Sequence, residues 1–135
     1  MATLPANASG RTPEVVSLSA AQAGNGPSTN VADRGPSHKG AVVQIRTAVG
    51  GTPTCTYQIE VSADGVTWSP ATWADLATPA VTSTGTFVIT TATTVQKIVK
   101  QPTPWRYVRV TYSANTNVTN TADLLYDDTQ TPPWS

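Results

Sequence analysis

Tyr57-Gln58-Ile59-Glu60-Val61-Ser62-Ala63-Asp64-Gly65-Val66-Thr67-Trp68 decides the fold class, and Trp105-Arg106-Tyr107-Val108-Arg109-Val110-Thr111-Tyr112 answers it. In the first stretch Tyr57, Ile59 and Val61 share one face, while Gln58, Glu60 and Ser62 share the other. That period-two alternation is the mark of a half-buried strand. Asp64-Gly65 predicts a tight reversal, because both residue types tolerate the backbone angles a hairpin needs, and the chain then returns through Val66 and Trp68. The second stretch alternates in the same way, with Val108, Val110 and Tyr112 opposed to Tyr107, Arg109 and Thr111. Trp68 and Trp105 fall within these patterns and are expected in the core, where a large ring contributes strongly.

Further strands follow outward from this pair. Glu14 to Ser19 is a short strand candidate, and Ala41 to Arg46 alternates before Gly50-Gly51 breaks the run. Thr86 to Thr91 and Val95 to Val99 read as strands, Asn115 to Asn117 as a turn, and Val118 to Tyr126 as a last strand. Ala20 to Gly40 carries almost no large apolar side chain and predicts an irregular loop, either mobile or ordered by contact with something else. The expected fold is all-β: a single antiparallel β-sandwich or jelly roll of seven to eight short strands, with a small closed barrel as the alternative. Residues 1–40 form an N-terminal arm with one short strand and a long Gly/Pro-rich loop. Residues 41–127 form the core, and 128–135 a C-terminal tail.

Composition supports this class. Among 135 residues there are 24 threonines and 15 valines but only five leucines, and Cβ branching suits a pleated surface better than a helix. Eleven prolines and nine glycines leave few windows for a long helix. Eight basic and eight acidic residues cancel, with no long run of one sign, so no nucleic-acid partner and no anionic membrane is expected. So low a surface charge makes burial against neighbouring subunits easy, although Ser, Thr and Asn also solvate such a surface. Met1 to Gly10 lacks the basic start and apolar stretch of a signal peptide, which predicts synthesis in a cytoplasm. Without export, the sequons at Asn7 and Asn117 carry no weight.

Catalytic chemistry finds little purchase. The lone His38 and the lone Cys55 make a nucleophile–base pair only on paper, with no third member in view, and no enzymatic activity is expected. Cys55 sits in a strand pattern and reads as a small buried filler. Asp64, Asp123, Asp127 and Asp128 offer oxygen ligands but lack calcium-loop spacing, and one Cys with one His cannot complete a zinc site. No cofactor is expected. The residues best suited to a binding surface are Trp73, in a Pro-containing loop, and Pro132, Pro133 and Trp134 in the tail, joined by Leu4 and Arg11 in the arm. Exposed aromatics stack on sugar rings or anchor protein interfaces, and both readings stay open for Trp73 and Trp134. Arg106 and Arg109, without a wider basic field, predict a solvated strand face.

Ser62-Ala63-Asp64-Gly65-Val66-Thr67-Trp68 together with Trp105-Arg106-Tyr107-Val108-Arg109-Val110-Thr111 resembles a pattern found in small β-sandwich virion proteins of tailed bacteriophages, over roughly residues 41–127. That group includes head decoration (cement) proteins and tail-associated modules. The resemblance implies a role on the virion head surface, with the major capsid protein and further copies of the chain as partners, a homotrimer being favoured. The same pattern is similar to carbohydrate-binding sandwiches, so a sugar- or receptor-binding tail module is the alternative, and a small viral coat protein a third.

Overall fold

The computed structural model describes residues 14–33, 40–100 and 106–127. Ten strands run in chain order: β1 (Glu14–Gln22), β2 (Gly26–Pro27), β3 (Ala32–Asp33), β4 (Gly40–Ser62), β5 (Ser69–Pro70), β6 (Trp73–Asp75), β7 (Thr82–Ser83), β8 (Phe87–Ile89), β9 (Thr94–Val99) and β10 (Tyr107–Asp127). Among the described residues there is no helix. All ten strands join one antiparallel sheet in the order β1-β10-β4-β9-β6-β7, with β2 and β3 added on β10 and β5 and β8 on β4. The all-β expectation holds. The count of seven to eight short strands does not, because β4 and β10 are single strands of 23 and 21 residues.

Both supposed breaks are bends inside these long strands. Opposite Gly50-Gly51 of β4, the β10 ladder shifts register between Ser113 and Thr116 and again before Val118. Thr52, Ala114 and Asn117 adopt φ of 47°, 49° and 56°, the left-handed values that let a bulge turn the ladder without ending it. A Cβ at Gly50 would stand 3.3 Å from Asn117 Cβ, so a side chain there would crowd Asn117. The Asn117 side-chain amide closes the bend by donating to the Gly51 carbonyl at 2.6 Å.

The bend folds the sheet over its own core. Residues 54–62 of β4 pair with 107–116 of β10, and residues 40–49 pair with 118–127. Tyr57 belongs to the first half, yet its hydroxyl donates to Asn120 Oδ1 of the second at 2.5 Å. Tyr112 crosses in the same way, donating to Ser19 Oγ of β1 at 2.9 Å. Between the halves lie Leu18, Val43, Ile45, Cys55, Tyr57, Ile59, Val108, Val110 and Leu124, all fully buried. Tyr57 stacks on Phe87 at 5.1 Å and meets the edge of Tyr112 at 5.6 Å.

Part of the predicted irregular loop joins this sheet. Gly26 and Pro27 pair with Tyr112 and Thr111, and Ala32 and Asp33 with Val108 and Tyr107. Ser28 N–H donates to the Val110 carbonyl at 2.6 Å, and Asn30 N–H to Leu18 at 2.8 Å. The apolar side chains this segment lacks are replaced by backbone hydrogen bonds, which no apolar-periodicity reading detects. Residues 34–39, including His38, lie outside the described residues.

Two predictions follow from the crossing tyrosines. Tyr57→Phe leaves the buried Asn120 Oδ1 without its O–H donor, and urea unfolding should show a loss of about 1–3 kcal/mol. Burial pushes the Tyr112 hydroxyl up to about 12 and Tyr57 in the same direction. Because the folded state holds these protons more tightly than the unfolded chain, their contribution is complete below about pH 10 and is lost as pH climbs toward 12. Unfolding midpoints measured across that window should fall steadily, and Tyr112→Phe should flatten the decline.

Candidate interaction surfaces

Trp73, expected as an exposed binding aromatic, is buried. It lies on β6 between β9 and β7, with only 8% of its surface exposed. Its indole Nε1–H donates to the Gly85 carbonyl at 2.9 Å, and its ring meets Phe87 edge-on at 5.2 Å. Lys97 points inward from β9, its ammonium 4.7 Å from the centroids of both rings and bonded to Asp75. A cation held between two aromatic faces and a carboxylate satisfies its charge without water. Trp73 is therefore a core anchor, because pairing of β6 turns its side chain toward Phe87 rather than outward.

Trp68 departs in the opposite direction. Expected in the core, it is half-buried and carries the Arg109 guanidinium 4.2 Å above its ring. Arg109 Nε donates to Glu60 Oε1 at 2.8 Å, and Thr111 Oγ1 donates to the same oxygen at 2.7 Å. Arg106 makes two bonds to Asp33, at 2.9 and 3.0 Å. Arg109 lies on the outward face of β10 and Arg106 just before that strand, and each is met by an acid on a neighbouring strand. Trp105 lies outside the described residues.

The Asp64-Gly65 reversal is wider than a two-residue hairpin, since the pairing resumes only at Val61 with Ser69. Asp64 Oδ1 accepts the N–H groups of Val66 at 2.8 Å and Thr67 at 2.9 Å, and Gly65 takes φ of 80°. These bonds hold the Asp64 carboxyl below the usual carboxylate range. Val66 is left 80% exposed at the tip. Cys55 is buried, as its strand position implied, with Asn120 Nδ2 at 3.7 Å from its sulfur. Asp123 stands 3.7 Å from Arg46, and among the described residues no three His, Cys, Asp or Glu side chains converge. Leu4, Arg11, Asp128, Pro132, Pro133 and Trp134 lie outside the described residues.

One surface escaped the sequence reading. Val15, Leu125, Val42 and Ile98 stand directly opposite one another on β1, β10, β4 and β9, and Ala74 of β6 ends the row. Their chain neighbours Val16, Leu124, Val43 and Val99 pack in or against the core, so alternation turns this row to the outer face. All four are half-buried and none belongs to the core cluster. The next outward row, Ser17, Asp123, Gln44 and Gln96, is polar, with Gln96 donating to Gln44 at 2.9 Å. The available signal was the doublets Val15-Val16, Val42-Val43, Ile98-Val99 and Leu124-Leu125, each of which interrupts alternation in its strand.

No family model matches the chain, and no curated protein does. Among solved structures, the crystal structure of SPBc2 prophage-derived protein YomS is similar in fold, with a TM-score of 0.56 at 9% identity over 85% of this chain and 95% of that one. At that identity the likeness is one of fold alone.

The reassignment of Trp73 is directly measurable. Trp73→Ala should destabilise the protein by about 3–5 kcal/mol in denaturant unfolding, the loss typical of a deleted buried aromatic. Unchanged stability would return Trp73 to the surface.

Proposed function

We propose that this chain is a non-enzymatic structural protein of a phage virion, a capsid decoration (cement) protein that binds the head shell and stabilises it. The observation that carries this reading is where the terminal segments begin. Glu14, the first described residue, stands opposite Tyr126, and Asp127, the last, stands opposite Gly40. Residues 1–13 and 128–135 therefore start from adjacent strands at one end of the doubled sheet, which we read as a β-sandwich. Leu4, Arg11, Pro132, Pro133 and Trp134 all belong to these two segments. A rigid body with two such segments side by side suits gripping a surface built by other subunits. Many copies on one shell make individually weak contacts add.

The likeness in fold to a prophage-derived protein supports a phage setting. In this reading the partners are the major capsid protein and further copies of the chain, as a trimer on the head surface, and no cofactor, nucleic acid or membrane takes part. The carbohydrate-binding alternative loses Trp73, whose ring lies against Phe87 and Lys97.

Deleting residues 1–13 or residues 128–135 should weaken co-sedimentation with undecorated heads while the far-UV spectrum stays that of the folded sheet. Full binding by both truncated chains would remove the terminal segments from the mechanism.

A further inference from the structure

The outward row of Val15, Leu125, Val42 and Ile98 is half-buried, and its shape restricts what could cover the remainder. Four strands at about 4.8 Å spacing make it roughly 14 Å long, and it is a single row deep. The polar row of Ser17, Asp123, Gln44 and Gln96 bounds it on one side, and the sheet ends at the Gly40–Asp127 pair on the other. A row one side chain deep offers no broad face of the kind that a face-to-face dimer buries, roughly 800 Å² per partner. The row fits a narrow apolar segment.

This chain carries such a segment. Asp128-Thr129-Gln130-Thr131-Pro132-Pro133-Trp134-Ser135 follows β10, which ends two residues past Leu125 of the row. Pro132 and Pro133 have no N–H, so a segment that carries them can cover an apolar surface without leaving those donors unsatisfied. Trp134 supplies the large ring that most often anchors an interface. Eight residues reach at most about 26–29 Å, enough to pass beyond the parent sheet. β10 runs past Leu125 toward Asp127, so the chain is heading away from its own row when it leaves the sheet. A seat on its own row would require a reversal. Equal numbers of acidic and basic residues mean that no net charge opposes the approach of two copies.

We propose that the row Val15–Leu125–Val42–Ile98 is the seat for the C-terminal segment of a second copy of this chain, with Trp134 across it. This inference rests on the assembly role proposed above and names the contact between copies. Such a contact joins two different surfaces, so successive copies form a ring where the rotation closes, in keeping with a trimer.

The test is a mass measurement by light scattering on the full chain, on a chain ending at Asp127, and on full-length Ile98→Glu. Val42→Lys replaces the last variant if its far-UV spectrum departs from the folded one. The full chain should associate, and each variant should associate at least roughly tenfold more weakly. An equimolar mixture of the shortened chain and Ile98→Glu holds one intact row and one intact segment, and should form a one-to-one pair. A monomeric full chain, unweakened association in either variant, or no pair on mixing would each overturn the proposal. A segment seated on its own row gives the first of these results, a monomeric full chain. The same proteins are then sedimented with undecorated heads. A monomeric chain that still binds heads removes only the contact between copies, whereas an associating chain that ignores heads removes only the virion reading.

Discussion

The antiparallel ladder between β4 and β10 is the constraint on which the rest of the structure depends. Two strands of more than twenty residues cannot lie flat and bury a core, because one face of so long a ribbon would remain in water. The bulges at Thr52, Ala114 and Asn117 resolve this by folding the ribbon upon itself while keeping both halves paired. Each half then supplies the cover that the other lacks. The shorter strands take their places from this frame, since β1, β2 and β3 pair with β10, and β5, β8 and β9 with β4.

Polar side chains fasten the two halves as well as apolar ones. Tyr57 and Tyr112 stand opposite each other in one half and send their hydroxyls to Asn120 and Ser19 of the other. In so dry a place each bond specifies one mutual position of the halves, because a shift by one residue would leave buried polar groups unpaired. Lys97 plays a comparable part toward the β6 side, tied to Asp75 beneath the rings of Trp73 and Phe87. The surface left over is Thr, Ser, Asn and paired charge with scattered exposed aliphatics such as Val66, Val81 and Val88. The row of Val15, Leu125, Val42 and Ile98 differs from these in being contiguous across four strands.

Two of the tryptophans show where reading by pattern alone goes wrong. Trp68 sits at an even step from Val66 in an alternating stretch, yet the loop after Asp64 reopens the pairing and leaves the ring under Arg109 on the outer face. Trp73 lies in a stretch flanked by Pro70 and Pro79 that reads as a loop, yet β6 pairs with β9 and carries the ring into the core. In both cases the local sequence sets strand or loop, while the partner strand sets which way the side chain faces. The outward row failed to register for a related reason. Each doublet looks like one core residue with a spare, and only the register aligns the four spares into a surface.

Alternation in residues 57–62 and 107–112, Cβ-branched composition, scattered Pro and Gly, and balanced charge were enough to determine an antiparallel all-β chain and a buried Cys55. Those are properties of a residue and its nearest neighbours along the chain, and the pleat makes them visible at a period of two. That Gly50-Gly51 and Asn115 to Asn117 bend strands instead of ending them, that Gly26 to Asp33 completes the sheet, and that four aliphatic side chains line up on its outside were decided by the tertiary structure. Each depends on which strand lies opposite, and register between strands is set by backbone hydrogen bonds that any sequence of non-proline residues can make.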